Sequence, residues 1–287
     1  MRYNELTVFN FKVTYYAMRI FGLYWLLMQY LTFKKISQWP KEIYEPFLLI
    51  QRFIFPQYPS EFLYGSILIG CALLLIITIF KQNYILNFLI FVLIAIINFP
   101  ISLNFSVGHH NHLIIIGYFM AIFLLPKNLN KENDFKWVQY FYLGILATYS
   151  LAGLSKFLGM AKNIILQTGK ITWLDKNAAK INTLDNYWFA DIKVPDWILN
   201  VYTYENFWVI TTVFGIVVQA SSFLGAFNRK YLTFIMIFLY IFHWYTDLFV
   251  LADFRDAKNF VLIALFPYHI FYPLFLKFRR KSNVLQS

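Results

Sequence analysis

The sequence predicts an all-α, polytopic membrane helix bundle, and three observations carry that expectation. Of 287 residues, 60% are hydrophobic and only 14% charged, against about 25% charged in soluble domains. The mean hydropathy is +0.55. The apolar residues are gathered into runs close to the length of about 20 residues that crosses ~30 Å of hydrocarbon. About eight such spans are read, at 12–33, 61–80, 84–104, 110–126, 137–158, 206–227, 231–251 and 258–276. A chain of this size suits one membrane domain without a large soluble module.

The net charge of +11 does not point to nucleic acid. Most Lys and Arg lie in loops and tails between apolar runs, where they set topology and meet anionic headgroups of the lipid bilayer. No basic patch with a nucleic-acid-binding motif occurs. The single cysteine, Cys71, excludes an intrachain disulfide, a CxxC pair and an iron–sulfur site. It reads as an inert core or lipid-facing residue. Residues 1–10 lack the basic start, short apolar core and cleavage site of a signal peptide, so the first helix is expected to persist. No period of internal repetition is present.

The first span carries Arg19, which either snorkels to an interface or binds an anionic group inside the bundle. Residues 34–60 contain Pro40, Pro46, Pro56 and Pro59 and read as a loop with one interfacial helix near 43–55. The third span ends at Asn98-Phe99-Pro100. After it comes Asn104 to His112, with three of the five histidines, His109, His110 and His112. That spacing is open between a metal site and a polar interfacial loop, and no metal is assigned because a further ligand element is lacking.

The fifth span ends in Tyr149-Ser150-Leu151-Ala152-Gly153-Leu154-Ser155-Lys156. Tyr149, Ala152, Gly153 and Lys156 recur at i, i+3, i+4 and i+7, on one helical face. The two small residues let another helix approach closely beside the amine. Two readings stand here. Lys156 closes the helix and snorkels, or it is desolvated in the bundle, where the neutral amine is favoured and acts as a general base.

The connection 157–205 is too long to be structureless. It carries Trp173, Trp188 and Trp197, the marks of an interfacial segment between spans five and six that covers the site. Span six holds Gln219. Span seven holds His243 and Asp247, four residues apart, either a satisfied polar pair or an imidazole oriented by a carboxylate. The basic cluster Lys277–Lys281 reads as a cytoplasmic anchor.

The pattern Tyr-x-x-Ala-Gly-x-x-Lys at 149–156 resembles the vitamin K-dependent γ-carboxylase family, whose membrane part is the horizontally transferred transmembrane (HTTM) domain. Asn111-His112 before the fourth span, His243 before Leu248-Phe249, and Arg19 before Gly22 are similar to further motifs of that family. The resemblance implies that Lys156 deprotonates reduced vitamin K or menaquinol, with His112 and His243 as further catalytic residues. It implies that Asn111, Arg19, Tyr149 and Asp247 contact the isoprenoid quinone or substrate. In the family the quinol is oxygenated, an alkoxide formed on the way removes the γ-proton of a Glu, and carbon dioxide adds to the carbanion. Many members have an acidic residue near position 219, where this chain has Gln219.

The large extramembrane C-terminal domain of animal carboxylases is expected to be absent. The implied setting is a bacterial cytoplasmic membrane with both termini in the cytoplasm. Two other readings stay open, a non-carboxylating maturation, export or immunity partner of a small exported peptide, and another quinone-linked membrane oxidoreductase.

Overall fold

The computed structural model describes residues 3–46, 49–81, 83–102, 129, 131–167, 172–252 and 255–277. Among them the regular structure is helical and no strand occurs. In chain order the helices are α1 (Glu5–Ile36), α2 (Leu49–Ile54), α3 (Glu61–Phe80), α4 (Tyr84–Ser102) and α5 (Glu132–Ile165). They are followed by α6 (Ala178–Phe189), α7 (Asp196–Val201), α8 (Glu205–Ser221), α9 (Arg229–Phe249) and α10 (Arg255–Leu265). Short 3-10 turns lie at Lys41–Ile43, Ser222–Ala226 and Tyr268–Phe271.

The helices α3, α4, α5, α8 extended to Ala226, and α9 are the five that are long and apolar enough to cross a membrane. The broken pair of α10 and Tyr268–Lys277 makes a sixth if it is one span. The architecture is consistent with a multi-pass membrane protein, with five to six candidate spans among the described residues where eight were read. The predicted run 110–126 lies outside the described residues. Helix α1 has 32 residues, ample length at about 1.5 Å per residue. Its Arg19, Gln29 and several tyrosines leave it less apolar than the others.

The chain forms two compact units, one from residues up to Phe141 with the segment from Phe266 onward, the other from Tyr142 to Leu265. In the first, α1 opens with a capping box in which Asn4 accepts from the backbone of Thr7, and the Thr7 side chain accepts from the Asn4 N–H. Its buried stripe runs through Phe11, Tyr15, Met18, Trp25 and Phe33. Arg19, wholly buried, sits in the same stripe. Its Nε donates to Thr78 Oγ1 at 3.3 Å, one Nη to the Tyr15 carbonyl at 3.1 Å and the other to Asn87 Oδ1 at 3.0 Å. The guanidinium also lies 3.6 Å from the centroid of the Tyr15 ring. It is turned into the bundle, where its rigid fork joins α1, α3 and α4.

Helix α3 buries Tyr64, Leu68, Cys71, Leu75 and Thr78, one stripe at i, i+4, i+7, i+11 and i+14. Helix α4 runs through Pro100, which has no N–H to offer the preceding turn. Side chains serve the carbonyls around it. Gln51 Nε2 donates to the Phe99 oxygen at 2.9 Å, and the Tyr64 hydroxyl to the Ile97 oxygen at 3.1 Å. The segment after Pro267 returns to the start of α1, where the His269 N–H donates to Asn10 Oδ1 at 3.1 Å and the Tyr272 hydroxyl to Glu5 at 2.6 Å.

The second unit holds most of α5, the connection and α8 to α10. The connection folds as α6 and α7 around a core of Ala179, Tyr187, Ile198, Tyr202 and Trp208. A hydroxyl chain ties it to α9, with Thr183 Oγ1 2.6 Å from the Tyr202 hydroxyl, itself 2.9 Å from that of Tyr245. Burial of the Tyr202 phenol pushes its pKa above the ordinary value. Trp188 and Phe189, at the end of α6, are 77% and 78% exposed.

Candidate functional site

Helix α5 does not end at Lys156. It runs 34 residues because nothing in Phe157–Ile165 breaks it, and it stops where Gln167 adopts a left-handed φ of 47°. Lys156 therefore lies inside a helix, on a seam where α5 meets α8 antiparallel. At the first rung Leu146 faces Gly225, where an added Cβ would stand 3.1 Å from the Leu146 methyl. At the next, Ser150 Oγ lies 2.9 Å from Ser222 Oγ, which donates to the Leu146 carbonyl at 3.0 Å, while the Phe223 N–H donates to Ser150.

Gly153 makes the closest approach. A Cβ there would stand 2.8 Å from Ala220 Cα and nearer still to the Ala220 nitrogen. Lys156 follows, its Nζ donating to Gln219 Oε1 at 2.9 Å. The small-residue face read from the sequence is met at Gly153, whereas Ala152 is exposed. Gly153→Ala is expected to cost about 1–3 kcal/mol, because the backbone of α8 is what must give way. Gly159→Ala, with open space around it, is the matched control and should be neutral or stabilising by up to about 1 kcal/mol. Thermal unfolding of both variants in detergent checks the contrast.

The amine is half-buried. Its remaining neighbours are aromatic, with Nζ 5.4 Å from the Trp173 ring centroid and 5.9 Å from that of Phe242. Among the described residues it has no ion-pair partner. Next to Phe242 on α9, the buried His243 places Nε2 2.9 Å from the Tyr149 hydroxyl, the rings meeting edge to face. Tyr149, Gly153 and Lys156 thus face the two helices α8 and α9 from one side of α5.

The structure brings Lys156, Tyr149 and His243 together in one unit, with Gln219, Trp173 and Phe242 as partners that the sequence did not assign a role. Asp247, one turn beyond His243, is engaged by the ammonium of Lys258 on α10. That ammonium also stands 3.7 Å over the Trp244 ring. Lys258 was missed, although it stands only eleven residues after Asp247 in the sequence. Arg19 belongs to the other unit, in the cluster described above. Asn111 and His112, with the rest of the histidine run, lie outside the described residues. Among the described residues no group of three His, Cys, Asp or Glu is placed to hold a metal ion.

Comparison with known proteins adds no name. No protein-family model, curated protein or solved structure matches this chain. The seam and its amine are therefore read from their own geometry.

Proposed function

We propose that this protein is an HTTM-type membrane enzyme, similar to vitamin K-dependent γ-carboxylases, in which Lys156 is the base toward a reduced isoprenoid quinone. The observation that carries the reading is the setting of the Lys156 amine, bonded to a neutral amide, flanked by two aromatic rings and, among the described residues, without a carboxylate partner. An amine so placed accepts a proton without first breaking an ion pair. The residues present suit a hydroquinone: Nζ for the phenolic proton, and the Trp173 and Phe242 rings as apolar surface for a flat ring.

When bound, the reduced quinone supplies the reducing power toward dioxygen. Lys156 receives the phenolic proton at Nζ, and Gln219 Oε1 fixes the direction from which it does so. The Tyr149–His243 pair, 2.9 Å apart, holds a second exchangeable proton on the same side of α5. The packed α6–α7 connection supports the expected role of 157–205 as a cover. Location in a bacterial cytoplasmic membrane, with both ends on the cytoplasmic side, is part of the same proposal. The meeting of residues 5–10 with 269–272 supports an even number of crossings.

The test is reconstitution in vesicles with menaquinol or vitamin K hydroquinone, oxygen, labelled bicarbonate and a Glu-containing peptide. Quinol consumption coupled to label in the peptide is the expected result. Quinol consumption without label would move the protein to a quinone-linked oxidoreductase. Neither would leave it a non-catalytic partner of an exported peptide.

A further inference from the structure

Gln219 stands beside the amine on the seam, and three observations converge on it. It is 4% exposed, so its amide is committed to the bundle. Its side-chain oxygen is the hydrogen-bond acceptor of Lys156 Nζ at 2.9 Å. Its backbone is held by the neighbouring rung, since a Cβ on Gly153 would stand 2.9 Å from the Gln219 carbonyl carbon. The register is therefore set by the missing side chain at 153, and the amide is presented to the amine by main-chain packing.

The chemistry of the choice is specific. An amide oxygen accepts a hydrogen bond from an amine or an ammonium alike and carries no charge. A carboxylate of the same reach would form an ion pair with the ammonium and favour the charged form. The elements packed around the amine carry further titratable groups, among them Tyr149 and Lys162 on α5, Glu205 on α8, His243 and Asp247 on α9, and Asp175 two residues beyond Trp173. Among the described residues none of them forms an ion pair with Lys156.

We propose that Gln219 is a positioning residue for Lys156, seated by the Gly153–Ala220 contact, which holds the amine in place while denying it a counter-ion. The proposal rests on the reading of Lys156 as a base, but its first readout, the missing counter-ion, does not require turnover. The full chain in detergent is treated with trace acetic anhydride, and acetylation of Lys156 is quantified by peptide mass spectrometry at several pH values. Only the neutral amine reacts.

Gln219→Glu should slow acetylation of Lys156 at neutral pH by about tenfold or more, as an opposite charge within hydrogen-bond reach does. The lost rate should return as pH is raised. Gln219→Met, of similar size and uncharged, should show no such slowing, yet should lose quinol-dependent turnover because the amine is no longer aimed. Thermal unfolding of each variant confirms that it is folded. If folded Gln219→Glu acetylates as the parent does, or Gln219→Met turns over as the parent does, Gln219 has no such role. If acetylation behaves as expected and no quinol reaction is found even in the parent, the denial of a counter-ion stands, and the quinol reading falls together with the aiming role.

Discussion

Replacing Lys156 by alanine is expected to abolish quinol-dependent turnover while the protein still inserts and folds. A general base contributes typically ~10²–10⁴-fold in rate, so the residual activity should fall by about that factor. The side chain is half-buried beside Trp173 and Phe242, and its loss removes one hydrogen bond to Gln219. Lys156→Arg should fail as well. A guanidinium keeps the positive charge and the donor to Gln219, but it stays protonated in proteins and cannot take the proton. A small added amine should restore part of the activity of the alanine variant by diffusing into the vacated space. Full turnover in Lys156→Arg would reduce Lys156 to an electrostatic anchor and remove the base from the proposed chemistry.

The largest effect on stability is expected at the ion pair of Lys258 and Asp247. The Lys258 and Asp247 side chains are 9% and 17% exposed and bonded to each other. Lys258→Met takes the ammonium away from the partly buried Asp247 carboxylate, at an expected cost of about 3 kcal/mol. Replacing both partners, Lys258→Met with Asp247→Leu, should recover most of that loss, since an apolar pair of similar volume avoids the desolvation of two charges. Thermal unfolding of the single and double variants in the same detergent reads the difference. A double variant no more stable than the single one would show that Asp247 has a stabilising role beyond this pair.

Some of this architecture was legible in the residues alone. The helical membrane character follows from run lengths and scarcity of charge. The close approach of a helix at Gly153 follows from a small residue on the face that ends in Lys156. A connection of the length of 157–205 had to fold, and it does so as α6 and α7. What escaped reading was set by partners distant in sequence. Tyr149 and His243 are 94 residues apart, and no local pattern aligns them. Gln219 looked like a departure because an acidic residue was expected near it, whereas its place on the seam makes it the acceptor for the amine. The end of α5 was misplaced because the apolar run fades near Lys156, while helix propensity and the absence of proline carry the backbone on to Ile165. Hydropathy reports where lipid ends, not where a helix does.

That continuation has an electrostatic consequence. A helix terminus exposes unpaired carbonyl oxygens equivalent to roughly half a negative charge, which attract cations within the last turn. Had α5 stopped at Lys156, those carbonyls would have served as a built-in anion for its ammonium. With the helix ending at Ile165, they lie six to nine residues on, about 9–14 Å away at 1.5 Å per residue. Over that distance the macrodipole no longer favours the charged form. The extra turns of α5 thus insulate the amine from its own backbone and leave its protonation to the side chains around it.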